Sequence, residues 1–595
     1  MSNAADDIFQ LAGTDPERAL FARKSADGWQ TVSAKEFAEE VVAVARGLVS
    51  AGIRAGDRVA LMSATRYEWV LIDYAIWTIG AVSVPVYETD SAEQVAWILA
   101  DSGAIAAFAE NAGMAALVEP VAGPVWSIED GGLDQLAAQG RALPGEGVRG
   151  LAPRRGLGVS PPENTDVESR RAAEDSALAT IVYTSGTTGR PKGCMLTHGN
   201  LVSEVDSIMR ADGIGDTVLS PSSAVLLFLP LAHILARIVQ LAVVRAGALT
   251  AHTGRLTDLE DELTSFRPTL IVAVPRVFEK LLHAAARRAE TAGRAWLFEL
   301  AERVAITYSE KGRGRLAHRV FDRFVYRGLR DALGGRIAYA VCGGAPLSAR
   351  LSHFLRGAGV PVLAGYGLTE TCGPITLNPP FGPRLGTAGR PLPHWSVRIA
   401  PDGEVLVSGP GVFAGYWHDE PATRAAFDGK GWLRTGDLGE LHEGYLTITG
   451  RKKDVIVTAG GKNVAPEQFE DRLNTHWLIE NSVVVGDRRP YVGALITLDT
   501  EAFDEWKRRH GKPSGAGVEQ LRDDPELAVT LEHVIDEVNW AVSRAEAIRR
   551  FRVLPGRFTV NDELTPTRQV RRQYVLTKYA DEVDELYLPR PREGE

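Results

Sequence analysis

Eleven residues, Tyr183 to Gly193, read Tyr-Thr-Ser-Gly-Thr-Thr-Gly-Arg-Pro-Lys-Gly and follow directly on the apolar run Ala179 to Val182. A buried strand opening into glycines, hydroxyls and one lysine describes a phosphate cradle. The glycines Gly186 and Gly189 let the backbone turn sharply and bring N–H groups to an anion. Thr184, Ser185, Thr187 and Thr188 supply hydroxyl donors, and Lys192 supplies a charge. Pro191 stands where the Walker pattern requires its second glycine, so the segment is not a P-loop, and a nucleoside triphosphate is the expected ligand.

The surrounding pattern is that of parallel α/β layers. Val59 to Met62 suits a strand, Tyr67 to Ile79 a helix, Val82 to Val86 a second strand and Ala92 to Leu99 a second helix. Such alternation implies right-handed crossovers around buried parallel sheets. Arg141 to Ala173, rich in Pro, Gly, Arg and Glu, reads as an exposed connection. Past Pro383 the pattern changes to short alternating strands, with a turn at Pro401-Asp-Gly403 between Val397–Ile399 and Glu404–Val407, which reads as a small β-rich subdomain. After the charged run at Arg451 and the glycine-rich Thr458 to Asn463, a final α/β unit carries strands near Ser482–Val485 and Val492–Leu498.

The expected fold is therefore α/β. A large N-terminal domain of parallel layers with its β-rich subdomain spans residues 1–452, and a smaller mobile C-terminal α+β lid spans 453–595. A chain of 595 residues, 45% of them hydrophobic, can bury more than one core. A formal net charge of −10 argues against a nucleic-acid partner. Cys194, Cys342 and Cys372 form no CxxC pair, which excludes a disulfide framework and a zinc site and suits a reducing cytoplasm. The acidic amino terminus has no continuous apolar segment and does not read as a signal peptide. Ala224 to Val244 is long enough to tempt a membrane-spanning reading, but it contains Pro230, His233, Arg237 and Gln240, so a buried strand followed by a helix is expected. Peripheral contact with a bilayer stays open, and nothing in the sequence bears on oligomeric state.

With the loop come, in order, Leu229-Pro-Leu-Ala-His233, Cys342-Gly-Gly-Ala-Pro346, Gly365-Tyr-Gly-Leu-Thr-Glu-Thr371, Arg434-Thr-Gly-Asp437, and Gly450-Arg-Lys-Lys-Asp454 running on to Pro466. The chain resembles, over nearly its whole length, the adenylate-forming acyl-CoA synthetases and their relatives, the luciferases and the adenylation domains of peptide synthetases. Leu229 to Arg237 and Gly450 to Pro466 are most similar to the long-chain fatty acid branch.

The resemblance implies activation of a carboxylic acid, expected to be fatty, by ATP to an acyl-adenylate, then thioester formation with CoA, releasing AMP and pyrophosphate. It implies Mg²⁺ and a distribution of roles. Thr184 to Lys192 would hold the β- and γ-phosphates, Thr369 would reach the α-phosphate, and Glu370 would bind the metal. Tyr366, between Gly365 and Gly367, would lie against adenine, with Gly343, Gly344 and Ala345 letting the backbone approach the base. Asp437 would accept from both ribose hydroxyls with Arg451 beside it. Lys453 would be the hinge about which the small domain turns, and Gly460 and Gly461 would flank the pantetheine path. A tight exposed turn is the plain alternative for these two glycines, as a cap is for Asp437. His233 would line the acyl and pantetheine channels, without acid-base work; a lone histidine in such an apolar setting is otherwise a satisfied core residue.

The pattern breaks near the carboxyl terminus. Where the family has Leu-Thr-Pro-Thr-x-Lys, this chain has Leu564-Thr-Pro-Thr-Arg-Gln569. Gln569 can donate a hydrogen bond but brings no charge to the transition state of adenylation. Three accounts compete: Arg568 or Arg571 replaces the lysine, the chain is a variant with altered chemistry or acceptor, or the position was engineered to slow adenylation. The alternative functions are an adenylating enzyme of specialised metabolism that acts on an unusual acid or transfers to a non-CoA acceptor and, motivated by Gln569, an adenylation-impaired variant or a nucleotide- or acyl-adenylate-binding protein without turnover.

Overall fold

The alternation read from Arg58 onward is built as strands Arg58–Met62 and Val82–Val86 with helix Tyr67–Thr78 between them and helix Ala92–Ser102 after them. The last helix begins where its cap dictates. The Ser91 hydroxyl accepts from the Gln94 amide at 3.3 Å while Gln94 accepts from the Ser91 amide at 2.9 Å, and Gly103, at φ +63°, ends it. The computed structural model describes residues 3–25, 28–119, 123–143, 175–184, 190–255, 257–291, 293–459, 462–540, 542–543, 546–560, 562–565 and 568–588. The expected connection Arg141 to Ala173 lies almost wholly outside them.

The chain divides into two compact units. The larger takes residues 1–398, 406–434 and 441–446, and the smaller takes 399–405, 435–440 and everything from Thr447. Two sheets organise the larger unit. Among the described residues, one has the spatial order Gly415–Tyr416, Lys192–Thr197, Leu178–Thr184, Val82–Val86, Arg58–Met62, Ala106–Ala109, Val125–Ser127. Its five strands from Leu178–Thr184 onward run parallel, and the first two are antiparallel additions. The other sheet has a parallel centre made of Val362–Leu368, Tyr339–Cys342, Leu270–Ala273, Ala224–Leu227, Leu249–His252 and Ala19–Ser25, with antiparallel strands at both ends.

Arg237 ties these two sheets together. It stands on helix Ile234–Arg245, which follows a strand of the second sheet, and it is buried to 1% exposure. Its guanidinium reaches both oxygens of Asp73 on helix Tyr67–Thr78 at 2.8 Å, Thr180 Oγ1 at 2.8 Å and Ser83 Oγ at 2.8 Å, the last two on strands of the first sheet. Trp69 and Trp77 enclose it, their ring centroids 5.3 and 5.2 Å away. The strand-then-helix reading of Ala224 to Val244 thus holds, and its polar residues have work to do: Gln240 Oε1 meets His252 Nε2 at 2.7 Å. Among the described residues no helix is long and apolar enough to cross a membrane.

In the smaller unit, strands Ile479–Val485 and Val492–Leu498 pair antiparallel and Ile548–Val553 adds in parallel. Alternate residues face opposite cores. Val484, Ala494 and Ile496 pack with Trp506, Leu527 and Leu531, whereas Val483, Val485 and Leu495 pack with Phe558, Val575 and Leu586. Both faces are covered, which is why these strands read as near-continuous apolar runs.

Arg237→Ala should cost about 3 to 5 kcal/mol, since it leaves a buried carboxylate without its counter-charge. Thermal melting checks this. A double variant R237M/D73L, which removes both charges, should lose far less than R237A alone.

Candidate nucleotide site

Thr184 and Lys192 are partners at the last rung of the antiparallel ladder between Leu178–Thr184 and Lys192–Thr197. Ser185, Gly186, Thr187, Thr188 and Gly189 lie outside the described residues, but the loop's trailing edge is fixed. The Trp97 indole donates to the Pro191 carbonyl at 3.1 Å, and Arg190 lies over the Trp97 ring at 4.6 Å. Gly193 has no room for a side chain: a Cβ would come within 2.7 Å of Ile181 Cγ2, and its carbonyl accepts from the Trp417 amide at 2.7 Å.

Lys192 points to Asp419, at 3.1 Å, and lies 5.2 Å from the centroid of the Tyr416 ring. The Tyr416 hydroxyl in turn donates to Glu370 Oε1 at 2.7 Å. Burial, reinforced by Glu370, pushes the Tyr416 phenol well above its ordinary range, so it remains a neutral donor. Thr369 and Glu370 sit in a single helical turn whose carbonyl at Glu370 accepts from the Phe413 amide at 2.9 Å. The buried Thr371 hydroxyl closes that turn, accepting from Leu368 N at 2.8 Å. Lys192 and Glu370 thus converge on Tyr416, a residue the sequence reading did not select. Its signal was available in Gly415-Tyr-Trp417, two aromatics behind a glycine, 46 positions from the carboxylate it supports.

Tyr366 lies in strand Val362–Leu368, whose Ala364 pairs with Cys342, so Gly343, Gly344 and Ala345 leave their strand alongside Gly365 and Tyr366. This is the carboxyl end of the parallel strands, where open α/β sheets bind ligands. Gly343 is buried, Gly344 takes φ +83°, and Gly344 and Ala345 are exposed. Gly365 and Gly367 have a different reason to be glycine. A Cβ at Gly365 would lie 2.9 Å from the Thr376 carbonyl, and one at Gly367 1.9 Å from the Gly373 carbonyl, so the neighbouring strand excludes side chains there. His233 caps helix Ile234–Arg245, its Nδ1 accepting from Leu235 N at 3.2 Å, and burial lowers its pKa to about 4. The neutral imidazole serves as the helix cap, and Leu235 closes against Gly343.

In the smaller unit Asp437 is buried, and Arg451 Nε lies 3.1 Å from its Oδ1. The turn before it is held by Glu404, which accepts from Gly436 N at 3.2 Å and meets Lys452 Nζ at 3.0 Å. Lys453 is exposed. Gly460 and Gly461 lie outside the described residues, and the rungs Ile456↔Val464 and Val457↔Asn463 are the described pairing of that segment. Gln569 is exposed in a tight turn: Thr565 N donates to its carbonyl at 2.8 Å, and its own amide donates to Thr565 Oγ1 at 3.0 Å. Arg568 adopts φ +61° there with its side chain exposed, whereas Arg571 donates to the Asp562 carbonyl at 3.2 Å and covers the Tyr574 ring. Glu563 anchors the turn from inside. Burial would raise its pKa, but hydrogen bonds from Lys578 at 2.5 Å, the Thr559 amide at 3.0 Å and Tyr579 at 3.0 Å bring it down to about 2.

The donor set suits Mg²⁺. Among the described residues no cluster of three or more His, Cys, Asp or Glu could hold an ion alone, but Glu370 offers one carboxylate, and Mg²⁺ is commonly held by one or two carboxylates together with substrate phosphates and water. The cysteines are spectators: Cys194, Cys342 and Cys372 are buried and unpaired with one another, and burial drives each thiol pKa up.

A hydroxyl loop with its lysine, a carboxylate and an aromatic at parallel strand ends define a nucleotide-binding α/β protein. Residues 9–417 match the AMP-binding enzyme model and residues 453–590 the AMP-binding enzyme C-terminal domain. The chain belongs to the AMP-binding enzyme family. It is 46% identical, over 98% of its length and 97% of theirs, to long-chain-fatty-acid–CoA ligase FadD15 of Mycobacterium bovis and of Mycobacterium tuberculosis. Its fold matches the adenylation and carrier didomain of carboxylic acid reductase from Segniliparus rugosus, solved with AMP, at a TM-score of 0.76 and 22% identity over 98% of this chain and 82% of that one.

The Glu563 carboxylate has its folded pKa depressed, so its contribution is full above the unfolded value of about 4.5 and is lost as pH falls toward about 2. Glu563→Gln should therefore melt below wild type at neutral pH, with the gap closing through that window. A gap independent of pH would contradict it.

Proposed function

We propose that this protein is an AMP-forming acyl-CoA ligase acting on long-chain fatty acids, with ATP, Mg²⁺ and CoA. The observation that carries the nucleotide part is the convergence of Lys192 and Glu370 on Tyr416 beside the last rung, Thr184↔Lys192, of the antiparallel ladder. The acid and the acceptor rest on the named activity of relatives that align with it end to end.

In the first half-reaction a carboxylate oxygen of the acid attacks the α-phosphorus, forming an acyl-phosphate bond and expelling pyrophosphate. Charge builds on the phosphoryl oxygens, and preorganised donors stabilise it. Thr184, the loop hydroxyls and Lys192 hold the departing phosphates, Thr369 meets the α-phosphate, and Glu370, oriented by the Tyr416 hydroxyl, would hold the metal. Mg²⁺, when bound, neutralises phosphate charge. Tyr366 with Gly343, Gly344 and Ala345 receives the adenine, and Asp437, steadied by Arg451, receives the ribose. In the second half-reaction the CoA sulfur attacks the acyl carbon, AMP leaves and the thiol proton is released. Gly460 and Gly461 border the pantetheine arm, His233 lines the channel, and the small domain begins at a hinge at Lys453.

Arg568 is the substitute for the missing lysine that local geometry favours, being exposed in the same turn while Arg571 is engaged within it. Incubating the protein with a panel of carboxylic acids and ATP, with and without CoA, and following AMP and pyrophosphate tests the reading. Long-chain acids should release AMP only when CoA completes the cycle. Pyrophosphate release and adenylate formation without CoA consumption would mean another acceptor, and ATP binding with neither AMP nor pyrophosphate released for any acid would mean a binding protein. Gln569→Lys should raise pyrophosphate release at least about tenfold, as restoring an oxyanion donor would, and Arg568→Ala should lower it.

Tyr416→Phe keeps the ring but removes the hydroxyl that holds Glu370. It should raise the Mg²⁺ concentration for half-maximal AMP release about tenfold, the worth of a hydrogen bond to a charged group.

A further inference from the structure

A continuous helical stretch, Arg315–Phe321, Asp322–Tyr326 and Arg327–Ala332, carries two parallel rows. Arg315, Arg319, Arg323 and Arg327 recur every fourth residue, and Leu316, Val320 and Phe324 recur one position later. All seven side chains are exposed, the apolar three to 79%, 56% and 72%. The opposite side is fixed to the protein: Phe321, Tyr326 and Leu329 are buried, Tyr326 donates to the Ala301 carbonyl at 2.6 Å, and His318 stacks on Tyr308 at 3.9 Å. A four-residue row drifts around an α-helix, and the wider π turn at Asp322–Tyr326 offsets that drift, keeping each row in line.

Three exposed large apolar residues in one row are costly in water and mark an interaction surface. Among the described residues Arg315, Arg319 and Arg323 form no ion pair, so this row presents net positive charge on a chain whose net charge is −10. We propose that this face docks the protein on an anionic bilayer surface, the leucine, valine and phenylalanine entering the headgroup boundary while the arginines meet lipid phosphates. Arginine beside aliphatic and aromatic residues is the composition of helices that lie in the bilayer interface. A second copy of this chain would bring arginine rows against each other, and an apolar row gives a nucleic acid nothing to pair with.

Sedimentation of the purified full chain with vesicles tests this, without ATP, CoA or acid, so the outcome is independent of the ligase reading. The protein should pellet with vesicles in which a third of the lipid is phosphatidylglycerol and not with pure phosphatidylcholine, and raised salt should release it. R319E/R323E should lower the partition coefficient more than tenfold, since each arginine lost is worth about fivefold. L316S/F324S should lower it comparably, and both variants should melt with wild type because the side chains are exposed. Should either double variant melt lower, the wild-type salt titration and the single variant Arg319→Gln, with a drop of about fivefold, decide instead. Wild type that stays in the supernatant, variants that bind as wild type does, or a concentration-dependent dimer abolished by the variants would overturn the proposal.

Discussion

The larger unit depends on one guanidinium held out of water. Arg237 has no solvent to fall back on, so every donor must be met by protein, and Asp73, Thr180 and Ser83 meet them from a helix and two strands of the other sheet. Hydrophobic burial alone would let two apolar layers slide with little penalty, whereas a fork of charge-assisted hydrogen bonds accepts one register. The strand Leu178–Thr184 carries Thr180 in that network, so what fixes the sheets also fixes the strand from which the glycine- and threonine-rich segment departs.

Period and punctuation made much of the fold legible. Strands Val82–Val86 and Val492–Leu498 stand where their apolar runs end, and helix Ala92–Ser102 starts at the serine that caps it. Other elements carry no such marks. Strands Ala19–Ser25 and Gly28–Ser33 join their sheet at its edge and mix charged with apolar residues, so no period declares them. The helices from Pro275 to Ala332 place apolar residues in water as well as in the core, which blurs the amphipathic pattern that identifies a helix.

The candidate site was legible as a set of segments and illegible as contacts. Glu370 stood out because it lies within a tyrosine, glycine and threonine segment. Its support by Tyr416 joins residues 46 apart through a side-chain hydrogen bond that no local pattern encodes. The glycines of Gly365-Tyr-Gly367 illustrate the reverse: a ligand-facing segment suggests room for a base, while the neighbouring strand accounts for both missing side chains. Gln569 is read as a departure at either level, and only the structure separates an arginine held within its turn from one exposed beside it.

The buried, protonated thiols of Cys194, Cys342 and Cys372 leave the folded surface without a competent nucleophile toward maleimides. A cysteine introduced on either unit would then be the one fast-reacting position in an otherwise wild-type background. The chain is in this respect ready for paired fluorophores, one on each unit, with none of the usual prior removal of native sulfur.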